Sequence, residues 1–387
     1  MVREMDFVDE YYADKDLSLL KKLTLVIPTY NRNYYLSRCL WYHAHFPFGQ
    51  IIVADSSPEE KKVVNRETVS KVREIFGADI LYLEYEPETE KYGGDIYRKW
   101  GDAVMHVETE YSQICTDKEF YVPNTQISCI KFLEEHSEYA SADGEYYNIE
   151  GFNLRKYYFK KVATTKCSLT YKNPLVRYLI SISRANGSTN LMAIRRTSMH
   201  KYIYNQLLEY NINDIRFGEI IQELLTILLS KSKYFEGEIY CCKDFSRVHR
   251  LGHLNLSESS DMRYPRLNQY VLDGVYNRYF QQSVMCLSNI LNDNISIVES
   301  REELANVINI TLKQALGQRG YFGYVGEIGM ILSSVPKVIK RLLEISMGFI
   351  YTIIIIKGSK NKIFETKIIE RVIQDSKHFH KHDKPML

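Results

Sequence analysis

Residues 23–27, Leu-Thr-Leu-Val-Ile, form a short apolar run with β-branched members that ends at Pro28. A run of this length and composition reads as a strand buried in a parallel sheet. Leu36, Cys39, Leu40 and Ala44 then recur at helical spacing, so the segment closes as strand, loop, helix. Open α/β sheets bind ligands beyond the carboxyl ends of such strands, which makes residues 28–32 a ligand-loop candidate.

The same unit recurs. Ile51–Ala54 reads as a second strand ending at Asp55, followed by Ser57-Pro58-Glu59-Glu60. Ser57 is the expected N-cap, Pro58 the first helical residue and Glu60 the other half of a capping box. That helix should run to Phe76 and stop at Gly77. A third strand is expected over Ile80–Tyr85 and a polar loop over Glu86–Gly94. The next helix carries its apolar face on Ile96, Trp100, Ala103, Val104 and Val107, and a fourth strand spans Tyr111–Cys115. Four strand–helix alternations at short spacing predict an α/β fold, a mostly parallel sheet flanked by crossover helices.

Pro123 should open another helix, followed by aromatic strand-like pieces (Glu145–Ile149, Lys156–Phe159). Further expected elements are a helix from Asn173 to about Ile182, the stretch Leu191–Ile194, a helix over Phe217–Leu229 and a short strand over Glu238–Cys242. From Pro265 onward Leu, Ile and Val fall three and four apart, so a helical C-terminal domain is expected over 261–387 behind an α/β domain over 1–260.

The 387 residues have room for both, and a net charge of +2 argues against nucleic-acid binding. Seven cysteines without a repeated Cys-x-x-Cys read as reduced thiols in a cytoplasmic protein. Met1–Leu20 is charged throughout and carries no secretory pattern, and the longest apolar stretch, Met347–Ile356, is too short to span a bilayer. Lysines and arginines bracket that stretch. It reads either as an interfacial helix on the inner face of the plasma membrane or as a core helix of the C-terminal domain, covered by neighbouring helices or by a second subunit of a homo-oligomer.

Asp117-Lys118-Glu119 follows the fourth strand and faces the same sheet edge as the Pro28 loop. In extended chain, alternate side chains share a side, so two carboxylates could hold one divalent cation against phosphate oxygens. Lys99, between the third and fourth strands, could meet phosphate charge.

Val26-Ile-Pro-Thr-Tyr-Asn-Arg32 resembles the opening signature of family 2-type glycosyltransferases with the nucleotide-diphospho-sugar-binding GT-A fold. With Tyr111–Phe120, Leu191–Arg196 and Phe217–Ile220 added, the chain is similar to a bacterial subgroup of that fold, over roughly Leu23 to His253. The resemblance implies transfer of a sugar from a nucleotide-diphosphate donor to a hydroxyl on a bacterial surface glycan or its lipid-linked precursor. It implies Mg²⁺ or Mn²⁺ on Asp117 and Glu119, with Glu where the family's Asp-x-Asp motif has a second Asp, and His249 as a third ligand. Donor contacts would come from Pro28, Thr29, Tyr30, Arg32, Asp55, Lys99 and Thr116, and the base for the acceptor hydroxyl would be Glu219 or Asp214. Two other functions compete. Sugar nucleotidyltransferases share the layout but begin with a Gly-rich loop, and Pro28-Thr-Tyr-Asn has no glycine. A non-catalytic GT-A scaffold would explain the departure from Asp-x-Asp.

Overall fold

The computed structural model describes Tyr12 and residues 16–87, 96–153, 156–162, 166–183, 190–244 and 275–294. The polar loop beyond residue 87, His249, His253, Met347–Ile356 and most of the expected C-terminal domain lie outside the described residues.

The protein is α/β. Strand β1 (Leu23–Thr29) is followed by helix α1 (Asn33–His43), β2 (Gln50–Asp55), α2 (Glu59–Phe76), β3 (Ile80–Glu84), α3 (Ile96–Met105) and β4 (Tyr111–Ile114). Then come β5 (Glu119–Tyr121), α4 (Pro123–Glu135), β6 (Tyr139–Asn153), β7 (Lys156–Lys161) and α5 (Pro174–Ser183). The remaining described elements are β8 (Ile194–Arg196), α6 (Thr197–Glu209), α7 (Ile215–Leu229), β9 (Lys231–Asp244) and α8 (Val275–Asn294).

The nine-stranded sheet runs β3-β2-β1-β4-β8-β6-β9-β5, with β7 on β6. Its first half, β3-β2-β1-β4, is wholly parallel, as expected. In the second half β6 and β9 run parallel, while β8, β7 and β5 pair antiparallel with their neighbours. After β1 the chain winds outward through β2 and β3, then returns to the other side of β1 as β4. The gap between the carboxyl ends of β1 and β4 is therefore the topological switch point, where an open sheet leaves a crevice.

Every residue of β1 is buried, because it is central to the sheet and covered on both faces. The strand continues two residues past the expected stop. Its ladder with β4 ends at Val26, so the missing N–H of Pro28 costs no bond on that side. The expected capping box is displaced. Helix α2 starts at Glu59, Pro58 is its N-cap without a side-chain bond, and the Ser57 hydroxyl serves another loop. Gly77 ends α2 in the left-handed conformation (φ 62°), as its lack of a Cβ allows. All seven cysteines are free thiols. No helix among the described residues is long and apolar enough to cross a membrane.

Candidate active site

The switch point is stitched by side chains from both strands. Thr29, the last residue of β1, donates from Oγ1 to Asp117 Oδ2 at 2.9 Å, and Arg32 Nη1 approaches Asp117 Oδ1 at 3.3 Å. Asn31 adopts φ 51°, a left-handed conformation that Asn tolerates, and its amide donates to Ser57 Oγ at 2.9 Å. The loops after β1 and β2 are thereby tied together. From α3, the buried Lys99 donates to Ser56 Oγ at 2.9 Å. Burial pushes the Lys99 ammonium down to about 7, against the pull of the Asp55 and Asp117 charges.

A cavity opens at this point. Pro28, Thr29, Tyr30, Arg32, Lys99, Thr116 and Asp117 line it, and Glu219 enters it from α7. Four basic side chains share the wall: Arg32, Lys99, Lys118 and Lys243. Lys118 is held down to about 8, chiefly by burial and then by the neighbouring charges of Lys243 and Arg32. Such a wall, with one side open, suits a compact anion.

Asp117 and Glu119 do not act as a pair. The expectation assumed extended chain, but the Glu119 amide bonds back to the Thr116 carbonyl at 3.0 Å, which makes 116–119 a turn with Asp117 and Lys118 at its corner. Asp117 therefore faces β1, while Glu119, already in β5, faces β9. There Lys243, its direct cross-strand partner, donates to Oε1 at 2.7 Å. The Thr116 amide (2.8 Å) and Tyr121 hydroxyl (3.1 Å) donate to Oε2. Burial alone would raise the Glu119 pKa, but the Lys243 charge and these hydrogen bonds together hold it below the ordinary carboxylate value. A two-carboxylate metal set does not fit this arrangement. Asp117 remains as a carboxylate on the cavity, and His249 lies outside the described residues.

Two other predicted acids also sit apart from the cavity. Asp55 is fully buried and accepts from the Ser57 amide (2.7 Å), Asn65 Nδ2 (2.6 Å) and the Tyr82 hydroxyl (2.5 Å). It braces the loop after β2 and does not line the cavity. Asp214 caps α7, its Oδ1 accepting from the Phe217 amide at 3.0 Å. Of the two candidate bases only Glu219 reaches the cavity. Its position depends on Gly218, where a Cβ would lie 2.0 Å from the ring of the buried Tyr97 on α3. Only a residue without a side chain lets α7 approach α3 this closely.

Sequence reasoning missed Lys118 and Lys243 on the wall. Lys118 was visible as the middle residue of Asp-x-Glu. Lys243 gave no local signal, because its partner Glu119 is 124 residues away. Ile96, Trp100 and Met192 supply the apolar wall, two of them from the predicted face of α3.

No family model matches the chain, and no curated protein matches it. Among solved structures, S. aureus TarS 1-349 in complex with UDP-GlcNAc is 13% identical, with a TM-score of 0.43 over 94% of this chain and 93% of that chain. The mannosyltransferase PcManGT from Pyrobaculum calidifontis, in complex with GDP-Man and Mn²⁺, is 12% identical, with a TM-score of 0.36 over 94% and 88% of the two chains. Scores of this size assign no activity, so the functional reading rests on the cavity's own residues.

Proposed function

We propose that the protein is a glycosyltransferase that takes a sugar from a nucleotide-diphosphate donor and passes it to a hydroxyl of a glycan acceptor. The observation that carries this reading is one cavity, at the switch point of the sheet's parallel half, lined by four basic side chains and entered by two carboxylates from different elements.

The roles divide by chemistry. Arg32, Lys99, Lys118 and Lys243 oppose the negative charge of the diphosphate, most strongly as the glycosidic bond breaks and charge collects on the leaving group. Thr29 and Arg32 fix the orientation of Asp117. A bound Mg²⁺ or Mn²⁺ would take one carboxylate, Asp117, with phosphate oxygens and water completing its shell, and would add to that charge neutralisation. Glu219 takes the proton of the acceptor hydroxyl as its oxygen attacks the sugar's anomeric carbon. The apolar wall of Ile96, Trp100 and Met192 gives a sugar or base a non-polar surface to lie against.

Calorimetric titration of the full chain with UDP and with GDP, each with and without Mn²⁺, tests the donor half of the reading. Binding that is lost in Asp117→Ala is the expected result. A chain that binds neither diphosphate, with or without metal, overturns it. Diphosphate binding without hydrolysis or transfer of any UDP- or GDP-sugar would favour the scaffold reading.

A further inference from the structure

A second cluster lies behind the cavity and plays no part in the chemistry above. Cys39 and His43 stand four apart on α1, so they share one face of the helix, and Cys115 follows β4. All three are fully buried. Their ligand atoms lie within 4.8 Å of one another, the one such trio of metal-ligating side chains among the described residues.

We infer that Cys39, His43 and Cys115, with the backbone carbonyl of Glu119, form a closed structural Zn²⁺ site. Zn–S bonds of about 2.3 Å and Zn–N bonds of about 2.0–2.1 Å at tetrahedral angles require an S···S edge of about 3.8 Å and an S···N edge of about 3.6 Å. The Cys39 and Cys115 sulfurs are 3.8 Å apart, and Cys115 Sγ lies 3.5 Å from His43 Nε2. The Glu119 carbonyl oxygen stands 3.8 Å from each sulfur and 3.1 Å from His43 Nε2, close enough to all three to serve as the fourth donor. The Thr116 carbonyl lies 3.9 Å and 3.6 Å from the two sulfurs and would accept from the thiols when no metal is held. Ligation through Nε2 would put the ring proton on His43 Nδ1, which has no acceptor beside it, so the site would hold its histidine without the outer hydrogen bond such ligands usually make.

Charge accounts for the placement. On binding, the two thiols release two protons, and two thiolates neutralise Zn²⁺, leaving a centre of zero net charge that a dry core accommodates. The ion would be taken up during folding, since none of the three side chains reaches solvent. Its ligands come from α1, from the end of β4 and from the 116–119 turn. Zinc would therefore fasten the turn that presents Asp117 to the helix following the Pro28 loop.

The test uses the full-length chain, produced with zinc and separately with cobalt in the medium. Elemental analysis of folded wild-type protein is expected to find one zinc per chain. The cobalt form should show tetrahedral d–d bands together with a sulfur-to-cobalt charge-transfer band. Cys115→Ser should lose that band, and His43→Gln should lower metal content in whatever fraction folds. The wild-type measurements stand even if neither variant folds. A folded, zinc-free wild type with no thiolate band overturns the site and leaves three hydrogen-bonded core side chains. Cobalt bound without a thiolate band also overturns it, and points to the histidines of the tail, His378, His380 and His382.

Discussion

The two halves of the sheet contribute to the cavity in different ways. The parallel half supplies it through the ends of consecutive strands: Thr29 from β1 and Asp117 just past β4 meet because the chain winds outward and returns. The mixed half contributes through long-range pairing. Lys243 on β9 reaches the wall only because β9 lies beside β5, and Glu219 arrives on a helix that follows β8. The 116–119 turn is the hinge between them, with Asp117 facing one half and Glu119 the other. In the proposed mechanism the charge that meets a donor comes from both, whereas the proposed base, Glu219, belongs to the second half alone. Similar residues two positions apart can thus have unrelated roles.

The sharpest way to break this division is at Glu219. Glu219→Gln is expected to lower kcat by about 10²- to 10⁴-fold, the usual contribution of a general base, while leaving the dissociation constant for UDP or GDP unchanged. A loss of diphosphate affinity as large as the loss of turnover would place Glu219 on the donor side and erase the distinction.

Asp117→Ala and Glu119→Gln should separate in the opposite sense. Asp117→Ala is expected to cost about 10²- to 10³-fold in transfer, the scale seen when one preorganised electrostatic contact is removed. It also orphans the buried Thr29 hydroxyl, so a modest loss of stability accompanies it. Glu119→Gln leaves the Lys243 charge without its counter-ion and should act mainly on stability, by about 1–3 kcal/mol in denaturant unfolding. Lys243 is 28% exposed and can turn to solvent, which keeps the cost below that of a fully buried orphan charge. Equal activity losses in the two variants, with equal stabilities, would restore the paired-carboxylate reading.

Gly218→Ala probes the packing that delivers Glu219. The added methyl must displace the ring of Tyr97, which is 1% exposed and has nowhere to move, so overpacking should cost about 1–3 kcal/mol. Turnover should fall with it, because α7 must shift. Restored turnover in Gly218→Ala combined with Tyr97→Leu would confirm the contact; an unaltered melting temperature in the single variant would remove it.

How much of this was legible in the sequence follows the same boundary. Strands β1 to β4 and their helices were readable because each is a contiguous run with a local stop, such as Pro28 before α1 or Gly77 after α2. Their loops bring Pro28, Thr29, Tyr30, Arg32, Lys99, Thr116 and Asp117 to one cavity. Glu119 failed because a hydrogen bond from its own amide turned an assumed strand into a β-turn. Asp55 stays out of the cavity's lining because donors within the chain, Ser57, Asn65 and Tyr82, hold it buried. Strand β9 was read as five residues, yet it spans fourteen, since most of its support comes from pairing with β6. Local pattern carries no record of such a partner.

The smallest expected effect tests Lys99, the buried lysine of the parallel half. With the cavity empty, burial holds its pKa at about 7 against an ordinary value of 10.5, so the folded protein carries a neutral amine above about pH 7 while the unfolded chain stays protonated up to 10.5. The unfolded state binds the extra proton in that window, so unfolding free energy should rise with pH from about 7 to about 10.5 and be flat below it. A diphosphate brings negative charge to Lys99 and raises its pKa, so binding takes up a proton above about pH 7. Affinity for UDP or GDP should therefore be level below about pH 7 and fall by about tenfold in all as pH rises past it, beyond any slope from the diphosphate's own titration. Lys99→Met supplies that baseline. It should bind about tenfold more weakly at low pH, the size of one charge-assisted hydrogen bond, and lose the extra slope. A wild-type slope identical to that of Lys99→Met would mean that Lys99 holds the loops through Ser56 without meeting the phosphates, and the cationic wall would then rest on Arg32, Lys118 and Lys243.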